Sequence, residues 1–197
     1  QASVDGVELS RGFGVSFGVD AQVVKSTGGN ASFTVNSARN IGMASNSALV
    51  SSSGALNVDF NADAKGALAA TPEIYTGAPN ANEGGAIVMN NATTASNGGN
   101  VRFYGQSDPA NGRAVGSFSD FNFFEDGIAM SNSLVSTCAA GQLACAGGGA
   151  ISLRGQGISA TEEGSQVDSG NGVYMVGSSL QSGSGAIRVD GRGALGA

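Results

Sequence analysis

A phrase built around methionine occurs four times in this chain, and it constrains the fold more than any other feature of the sequence. The only four methionines of the 197 residues stand in NIGMAS, AIVMNN, GIAMSN and GVYMVG, at positions 43, 89, 130 and 175. Each phrase is followed by a stretch rich in Ser, Asn, Thr or Ala, and then by a glycine that opens an alternating segment. The methionines are 46, 41 and 45 residues apart, and a period of about 20 to 50 residues indicates stacked repeats.

The alternating segments predict β-strands. They are GALNVDF (54–60), GGNVRFYG (98–105), GGGAISLRG (147–155) and GAIRVDG (185–191). The N-terminal stretch RGFGVSFGVDAQVV alternates in the same way, and it places apolar residues from Phe13 to Val23, including Val19, on one face. Period-two alternation indicates a strand with one buried and one solvated face.

Two architectures fit such strands, an antiparallel sandwich and a solenoid of parallel strands. Asn-Gly pairs at 111–112 and 171–172 favour hairpins. The recurrence of like residues at matching positions favours parallel strands, in which each residue lies about 4.8 Å from its counterpart. We therefore predict an all-β fold, a right-handed parallel β-helix of about nine coils, with each repeat of roughly 44 residues forming two coils. Residues 1–197 are expected to be a single segment of a longer chain.

Three segments interrupt the repeats and are predicted to be loop outgrowths, near 66–84, 106–126 and 136–147. The first holds two of the three prolines, which do not fit a central ladder. The third holds the only cysteines, Cys138 and Cys145. An oxidised pair that closes this loop in an exported protein is predicted, with two inert thiols as the alternative. A zinc site would need further thiols or histidines.

Composition argues against several classes of function. Nine basic residues stand against fifteen acidic ones, for a net charge of −6, so nucleic acid is not an expected partner. No apolar run reaches the length of a membrane span, so membrane insertion is not expected. The chain has no histidine, the commonest general base, and its acids do not share one repeat position. We predict a non-catalytic protein without a cofactor; a β-helical polysaccharide lyase or hydrolase is an alternative.

The segment SFSDFNFFEDG contains the candidate binding residues. Four phenylalanines within seven residues predict an apolar patch for a partner, a sugar face or a neighbouring rod, unless the loop buries them. The patch consists of Phe118, Phe121, Phe123 and Phe124. Acids flank this cluster and are candidates for calcium binding in a loop. They are Asp120, Glu125 and Asp126.

The segments GGAISLRGQG and SGAIRVDGRG, with NGVYMVGSSLQSGS between them, resemble the shaft of filamentous haemagglutinin-like exoproteins. Gram-negative bacteria export these proteins by two-partner secretion. The resemblance covers about 40–66, 84–105 and 126–193. The family's amino-terminal secretion domain carries Asn-Pro motifs, which this sequence lacks, so a shaft segment is indicated.

The resemblance implies an extracellular or cell-surface rod that acts in adhesion or presents distal domains. It also implies an outer-membrane secretion partner, and a host or neighbouring-cell surface as the binding partner. A self-assembling surface filament or layer subunit, with like subunits as partners, is the alternative function.

Overall fold

The computed structural model describes residues 13–64, 85–119, 122–160 and 168–194. Within these ranges the protein is all-β, with most strands in three sheets of parallel strands. The chain passes through the three sheets, A, B and C, in the same order five times, and we call each passage a rung. None of the described residues forms a helix of the length and apolar character that a membrane crossing needs.

The strands follow one another in chain order. The first rung contains β1 (Phe13–Phe17), β2 (Gln22–Lys25) and β3 (Ala31–Asn36). The second contains β4 (Asn40–Met43), β5 (Ala48–Ser51) and β6 (Leu56–Ala62), and the third β7 (Ile87–Asn90), β8 (Thr93–Ala95) and β9 (Val101–Gly105). Next come β10 (Ala114–Val115), β11 (Ser117–Ser119) and β12 (Asn122–Phe124). The fourth rung contains β13 (Ile128–Ser131), β14 (Leu134–Ser136) and β15 (Ile151–Gln156). After β16 (Ser159–Ala160) and β17 (Asp168–Ser169), the fifth contains β18 (Val173–Val176), β19 (Ser179–Gln181) and β20 (Ile187–Arg192).

Each sheet collects one strand from every rung. Sheet A has the order β1-β4-β7-β13-β18, and sheet B has the order β2-β5-β8-β14-β19. Sheet C has the order β3-β6-β9-β15-β20, and β10 also pairs with the end of β15. All of these pairs are parallel, whereas β11 pairs with β12 and β16 with β17 in antiparallel hairpins. The prediction of parallel strands is therefore confirmed.

The methionines of the repeat form one column across sheet A. Phe17, Met43, Met89, Met130 and Met175 are in direct register on successive strands. Methionines one repeat apart therefore lie on adjacent strands of sheet A, so each repeat makes one rung. The expectation of about nine coils is therefore wrong, and the described residues form five rungs.

Buried side chains from all three sheets join in one apolar cluster. Phe60 and Phe103 occupy the same column of sheet C, and their rings stack with centroids 4.9 Å apart. Phe17 of sheet A stacks on Phe60 at 5.9 Å. The ring separation in sheet C follows from the distance between neighbouring strands, which is about 4.8 Å. Stacking like on like therefore fills the core and also links sheet A to sheet C.

A left-handed residue marks the turn from sheet A to sheet B in every rung. These residues are Asp20, Asn46, Asn91, Asn132 and Gly177, with φ between 46° and 61°. Asn, Asp and Gly tolerate this conformation best. The side chains also form a ladder, because Asn91 Nδ2 donates to Asn46 Oδ1 at 2.7 Å and Asn46 Nδ2 donates to Asp20 Oδ1 at 3.1 Å. This turn explains why Asn or Gly occurs two or three residues after each methionine.

The same turn corrects one detail of the predicted N-terminal strand. The alternation from Phe13 to Val23 was expected to continue on one face, but β1 ends at Phe17. Asp20 adopts the left-handed conformation, and Val19 beside it is 66% exposed. The chain leaves sheet A for sheet B at this point. The apolar alternation continues through the turn, so it does not predict where the strand ends.

The connections from sheet C back to sheet A differ greatly in length. The first is three residues long, 37–39, whereas the others are 63–86, 106–127 and 157–172. The predicted outgrowth at 66–84 lies outside the described residues. The predicted outgrowth at 106–126 includes β10 and the hairpin of β11 and β12. The third, near 136–147, lies at another corner, between β14 in sheet B and β15 in sheet C.

Replacing a methionine of the column should cost stability according to its rung. We expect Met89→Ala to lower the free energy of unfolding by about 2 to 5 kcal/mol, because Met89 is 1% exposed and its loss leaves a cavity. Met175 of the fifth rung is only half buried, so Met175→Ala should lower the free energy of unfolding by about 1 kcal/mol. Chemical denaturation followed by circular dichroism measures both. Equal losses would contradict this assignment of the core.

Candidate functional site

A groove of about 460 Å³ lies on the outer face of sheet A. Val88, Ala129 and Tyr174 are in register on β7, β13 and β18. Alanine is the smallest of the three, and Tyr174 is 46% exposed. The remaining lining residues are Met89, Asn90, Glu125, Asp126, Met130 and Ser131. This volume lies in the range of small-molecule sites, and the lining combines one aromatic ring with polar groups.

The groove brings together two of the three residues predicted to bind calcium. Glu125 and Asp126 line it, whereas Asp120 lies outside the described residues. Asp126 Oδ1 accepts hydrogen bonds from the backbone N–H of Asn171 at 2.7 Å and from Asn171 Nδ2 at 3.1 Å. In the part of the chain that is described, no group of three or more His, Cys, Asp or Glu is placed to hold a metal. Calcium binding stays a prediction.

The predicted phenylalanine patch falls on the hairpin of β11 and β12. Phe118 is opposite Phe123, and Ser117 is opposite Phe124. Phe121 lies outside the described residues. The hairpin follows β10, so it belongs to the connection that also carries Glu125 and Asp126. The docking role of the patch stays a prediction.

Sequence reasoning missed a cluster of arginines at one end of sheet C. Arg113 Nη2 donates to both carboxylate oxygens of Asp190, at 2.8 and 2.9 Å, and Arg113 Nη1 donates to its backbone carbonyl at 2.8 Å. Arg154 lies 3.1 Å and Arg188 3.7 Å from the same carboxylate. The side chains of Arg113 and Arg154 are 8% and 9% exposed. The repeat could have indicated this ion pair, because Arg154 and Asp190 occupy the same position in successive repeats and are neighbours on adjacent strands.

The contacts of this cluster hold residues 106–113 of the connection against sheet C. Arg154 Nη1 donates to the carbonyl of Ala110, and Arg113 reaches Asp190, 77 residues further on. A second pair lies on the same sheet, where Arg102 donates to Asp59 through two hydrogen bonds of 2.5 and 2.8 Å. Such two-point contacts between arginine and carboxylate fix geometry as well as adding energy. The arrangement therefore holds a loop and a sheet edge in place.

Burial, hydrogen bonds and charge in these clusters shift the pKa values of Asp190, Tyr104 and Arg102, and the hydrogen bond to Asp59 raises that of Arg102. Burial raises the pKa of the Asp190 carboxyl, but the hydrogen bond and charge of Arg113 and the charges of Arg154 and Arg188 lower it more, so the pKa lies below its ordinary value. Burial raises the pKa of the Tyr104 hydroxyl, and the neighbouring Asp59 raises it further. Asp190 is therefore held in its charged form.

The disulfide Cys138–Cys145 confirms the predicted pair. The two Cα atoms are 5.5 Å apart, and Leu143 in the closed ring is 86% exposed. The insertion changes the corner between sheets B and C. In other rungs, Ser51 and Ser96 donate their hydroxyl protons to the carbonyl three residues on, whereas the buried Thr137 Oγ1 at the equivalent position has no hydrogen-bond partner.

The fifth rung leaves part of the core uncovered. Ile151 and Leu153 of the fourth rung are 0% exposed, whereas their counterparts Ile187 and Val189 are 46% and 49% exposed. Among the described strands, β18, β19 and β20 each pair on one side only. Within the described residues, the fifth rung therefore exposes aliphatic side chains whose counterparts in the fourth rung are buried.

No protein-family model matches this chain, and no curated protein or solved structure matches it either. Among the described residues, the candidate surfaces are the groove of sheet A, the hairpin of β11 and β12 and the disulfide ring.

Replacing Asp190 with asparagine should destabilise the protein in a pH-dependent way. The folded-state pKa of Asp190 is below the ordinary 3.8, so its charge stabilises the fold above about pH 4. This contribution is lost as the pH falls through the lowered pKa. We expect Asp190→Asn to cost about 1 to 3 kcal/mol at pH 7 and progressively less below pH 4. Urea denaturation of both proteins at several pH values measures the difference.

The matched control is Arg188→Gln. The Arg188 side chain is 67% exposed and lies 3.7 Å from the carboxylate, so its loss should cost about 0.5 kcal/mol or less. A difference between wild type and Asp190→Asn that stays constant down to pH 2 would contradict the role of the charged carboxylate.

Proposed function

We propose that this chain is a non-catalytic segment of a β-helical rod, in which the three parallel sheets close into one right-handed solenoid. The observation that supports this best is the repeated register, in which each passage through sheets A, B and C aligns with the next. Right-handed crossovers are strongly preferred between parallel strands of one sheet. With strands about 4.8 Å apart, five rungs correspond to roughly 24 Å of rod.

The proposed location of the rod is extracellular, at a bacterial cell surface. Both cysteines of the chain are in the disulfide, and disulfides form and persist in oxidising compartments. Contacts between neighbouring rungs allow folding to begin at one end and propagate, which suits an exported chain. These features agree with the resemblance to filamentous haemagglutinin-like shafts. On that basis the proposed export route uses an outer-membrane secretion partner.

The proposed role of the rod is to hold loops or distal domains for adhesion. Three long connections run from sheet C to sheet A, at 63–86, 106–127 and 157–172. Insertions on one face of a repeat protein often form its binding face. The groove of sheet A borders this corner, because Glu125 and Asp126 belong to one of these connections. A host or neighbouring-cell surface is the proposed partner.

The contacts of the carboxylates support a non-catalytic role. Five aspartates accept hydrogen bonds from arginine, asparagine or backbone donors. They are Asp20, Asp59, Asp108, Asp126 and Asp190. A glycoside hydrolase needs two carboxyl groups that flank a scissile bond, whereas these groups stabilise corners, ladders and loops.

Surface location can be tested on intact cells that make the native polypeptide. We expect an external protease to remove the chain while a cytoplasmic marker is retained. We also expect Cys138 and Cys145 to resist alkylation until a reductant is added, because they form the disulfide. Immunoblotting and mass spectrometry measure the two results. A chain that survives inside protease-treated cells with both thiols alkylated directly would overturn the proposed location.

The absence of catalysis can be tested on the purified chain. Incubation with acidic and neutral polysaccharides should release no unsaturated ends, detected by ultraviolet absorbance, and no new reducing ends. Release of either product, and its loss in Asp126→Asn, would favour the lyase or hydrolase alternative over a structural rod.

A further inference from the structure

The groove of sheet A spans the third, fourth and fifth rungs, and its middle section is apolar. Val88, Ala129 and Tyr174 are in register across β7, β13 and β18. Val88 and Ala129 are partly exposed on the outer face, because the neighbouring Met89 and Met130 point into the core. The middle of the groove therefore offers aliphatic and aromatic surface to a ligand.

One end of the groove is acidic. Glu125 and Asp126 line it there, just before β13 begins at Ile128. Asp126 Oδ1 accepts two hydrogen bonds from Asn171, which hold the carboxylate in place. Both bonds end on Oδ1, so Oδ2 is the oxygen that can accept a hydrogen bond from a ligand. This end of the groove therefore favours a positively charged group that donates hydrogen bonds.

The other end of the groove is lined by neutral polar groups. Asn90 and Ser131 are neighbours at the ends of β7 and β13, and both line the groove. Their amide and hydroxyl groups can each donate and accept hydrogen bonds. None of the described residues that line the groove is Lys or Arg. The charge of the lining is therefore of one sign, and it is concentrated at one end.

The side chain of a basic residue matches this order of surfaces. Lysine and arginine have an apolar stem that packs along apolar surface and a charged group at its end. The stem fits the middle section, and the charged group fits the carboxylates beside the ring of Tyr174, where a cation–π contact adds attraction. Peptide groups of the same partner fit the polar groups of Asn90 and Ser131. A polyamine matches less well, because its second charge would lie at the neutral end.

We propose that the groove of sheet A binds a basic side chain, lysine or arginine, of a partner protein. Its volume of about 460 Å³ is in the range of sites for small ligands, so it takes a side chain with its adjoining peptide groups. The inference rests on the proposed role in adhesion for the source of the partner. It adds the chemistry that the rod recognises on a host or neighbouring-cell surface.

Titration of the purified chain with a short peptide, followed by nuclear magnetic resonance, tests the proposal. The probe is a glycine-lysine-glycine peptide with both termini blocked. We expect saturable shifts of the Val88 and Ala129 amide signals, with a dissociation constant on the order of 1 mM. The same peptide with norleucine keeps the stem and loses the charge, and it should bind about tenfold more weakly. Equal binding of the two peptides, or no shift at the groove, would overturn the proposal.

Two matched variants test the role of the acidic end. Asp126→Asn should weaken binding of the lysine peptide about tenfold, because it removes a charged acceptor and keeps an oxygen for Asn171. Asp20→Asn is the control, since Asp20 is exposed, accepts from Asn46 at 3.1 Å and does not line the groove. It makes the same change of charge and should bind like wild type. Equal weakening by the two variants would show attraction to net charge alone and overturn the site.

A third variant tests the ring. Tyr174→Leu keeps an apolar side chain and should weaken binding about threefold. Tyr174 is 46% exposed, so the variant should fold, and circular dichroism checks this for all three variants. Unchanged affinity in both Asp126→Asn and Tyr174→Leu would place the peptide elsewhere and overturn the proposal.

Cadaverine distinguishes a partner protein from a polyamine, because it has the same stem with a second ammonium in place of the peptide groups. It should bind more weakly than the lysine peptide, and tighter binding would overturn the assignment to a partner protein. Failure of the groove to bind the peptide is distinguishable from failure of the proposed function. Protease treatment of intact cells tests the surface location without any peptide.

Discussion

The structure depends on parallel register, in which each buried side chain is covered by its counterpart on the next strand. Phe60 on Phe103 and Met89 on Met130 show the consequence, because matching side chains at matching positions pack without a new solution for each rung. The same register also aligns outward-facing side chains on neighbouring strands, such as Arg102 and Asp59, which form an ion pair. An antiparallel strand inserted between two neighbouring strands of a sheet would interrupt both series at once.

The corners between the sheets make this register possible. Some of them are tight turns, whereas others carry long connections. Left-handed Asn and Asp residues turn the chain tightly from sheet A to sheet B, and their side chains repeat the ladder there. The connections from sheet C to sheet A carry most of the added sequence instead. The groove, the hairpin of β11 and β12 and the arginine cluster all involve those connections. These candidate surfaces therefore combine residues of the connections with residues of the strands.

Much of the core could be predicted from sequence, because the methionine phrases and the alternating segments are the columns themselves. The number of rungs could not, since a period of about 45 residues does not say how many of those residues lie in connections. Val19 shows a local form of the same problem, where an alternating pattern continues through a turn. The cluster at Asp190 was also missed, because Arg113 is 77 residues away and belongs to a connection without a repeat.

The unequal connections also bear on how such a chain can change over time. One link between sheet C and sheet A needs only three residues, 37–39, so the corner itself places almost no demand on length. Duplication or loss of one complete passage through the three sheets would keep every alignment intact. A deletion of one residue inside a strand, by contrast, would exchange its buried and solvated faces. Selection should therefore tolerate changes of length in the connections from sheet C to sheet A far more readily than insertions or deletions of one residue within a strand.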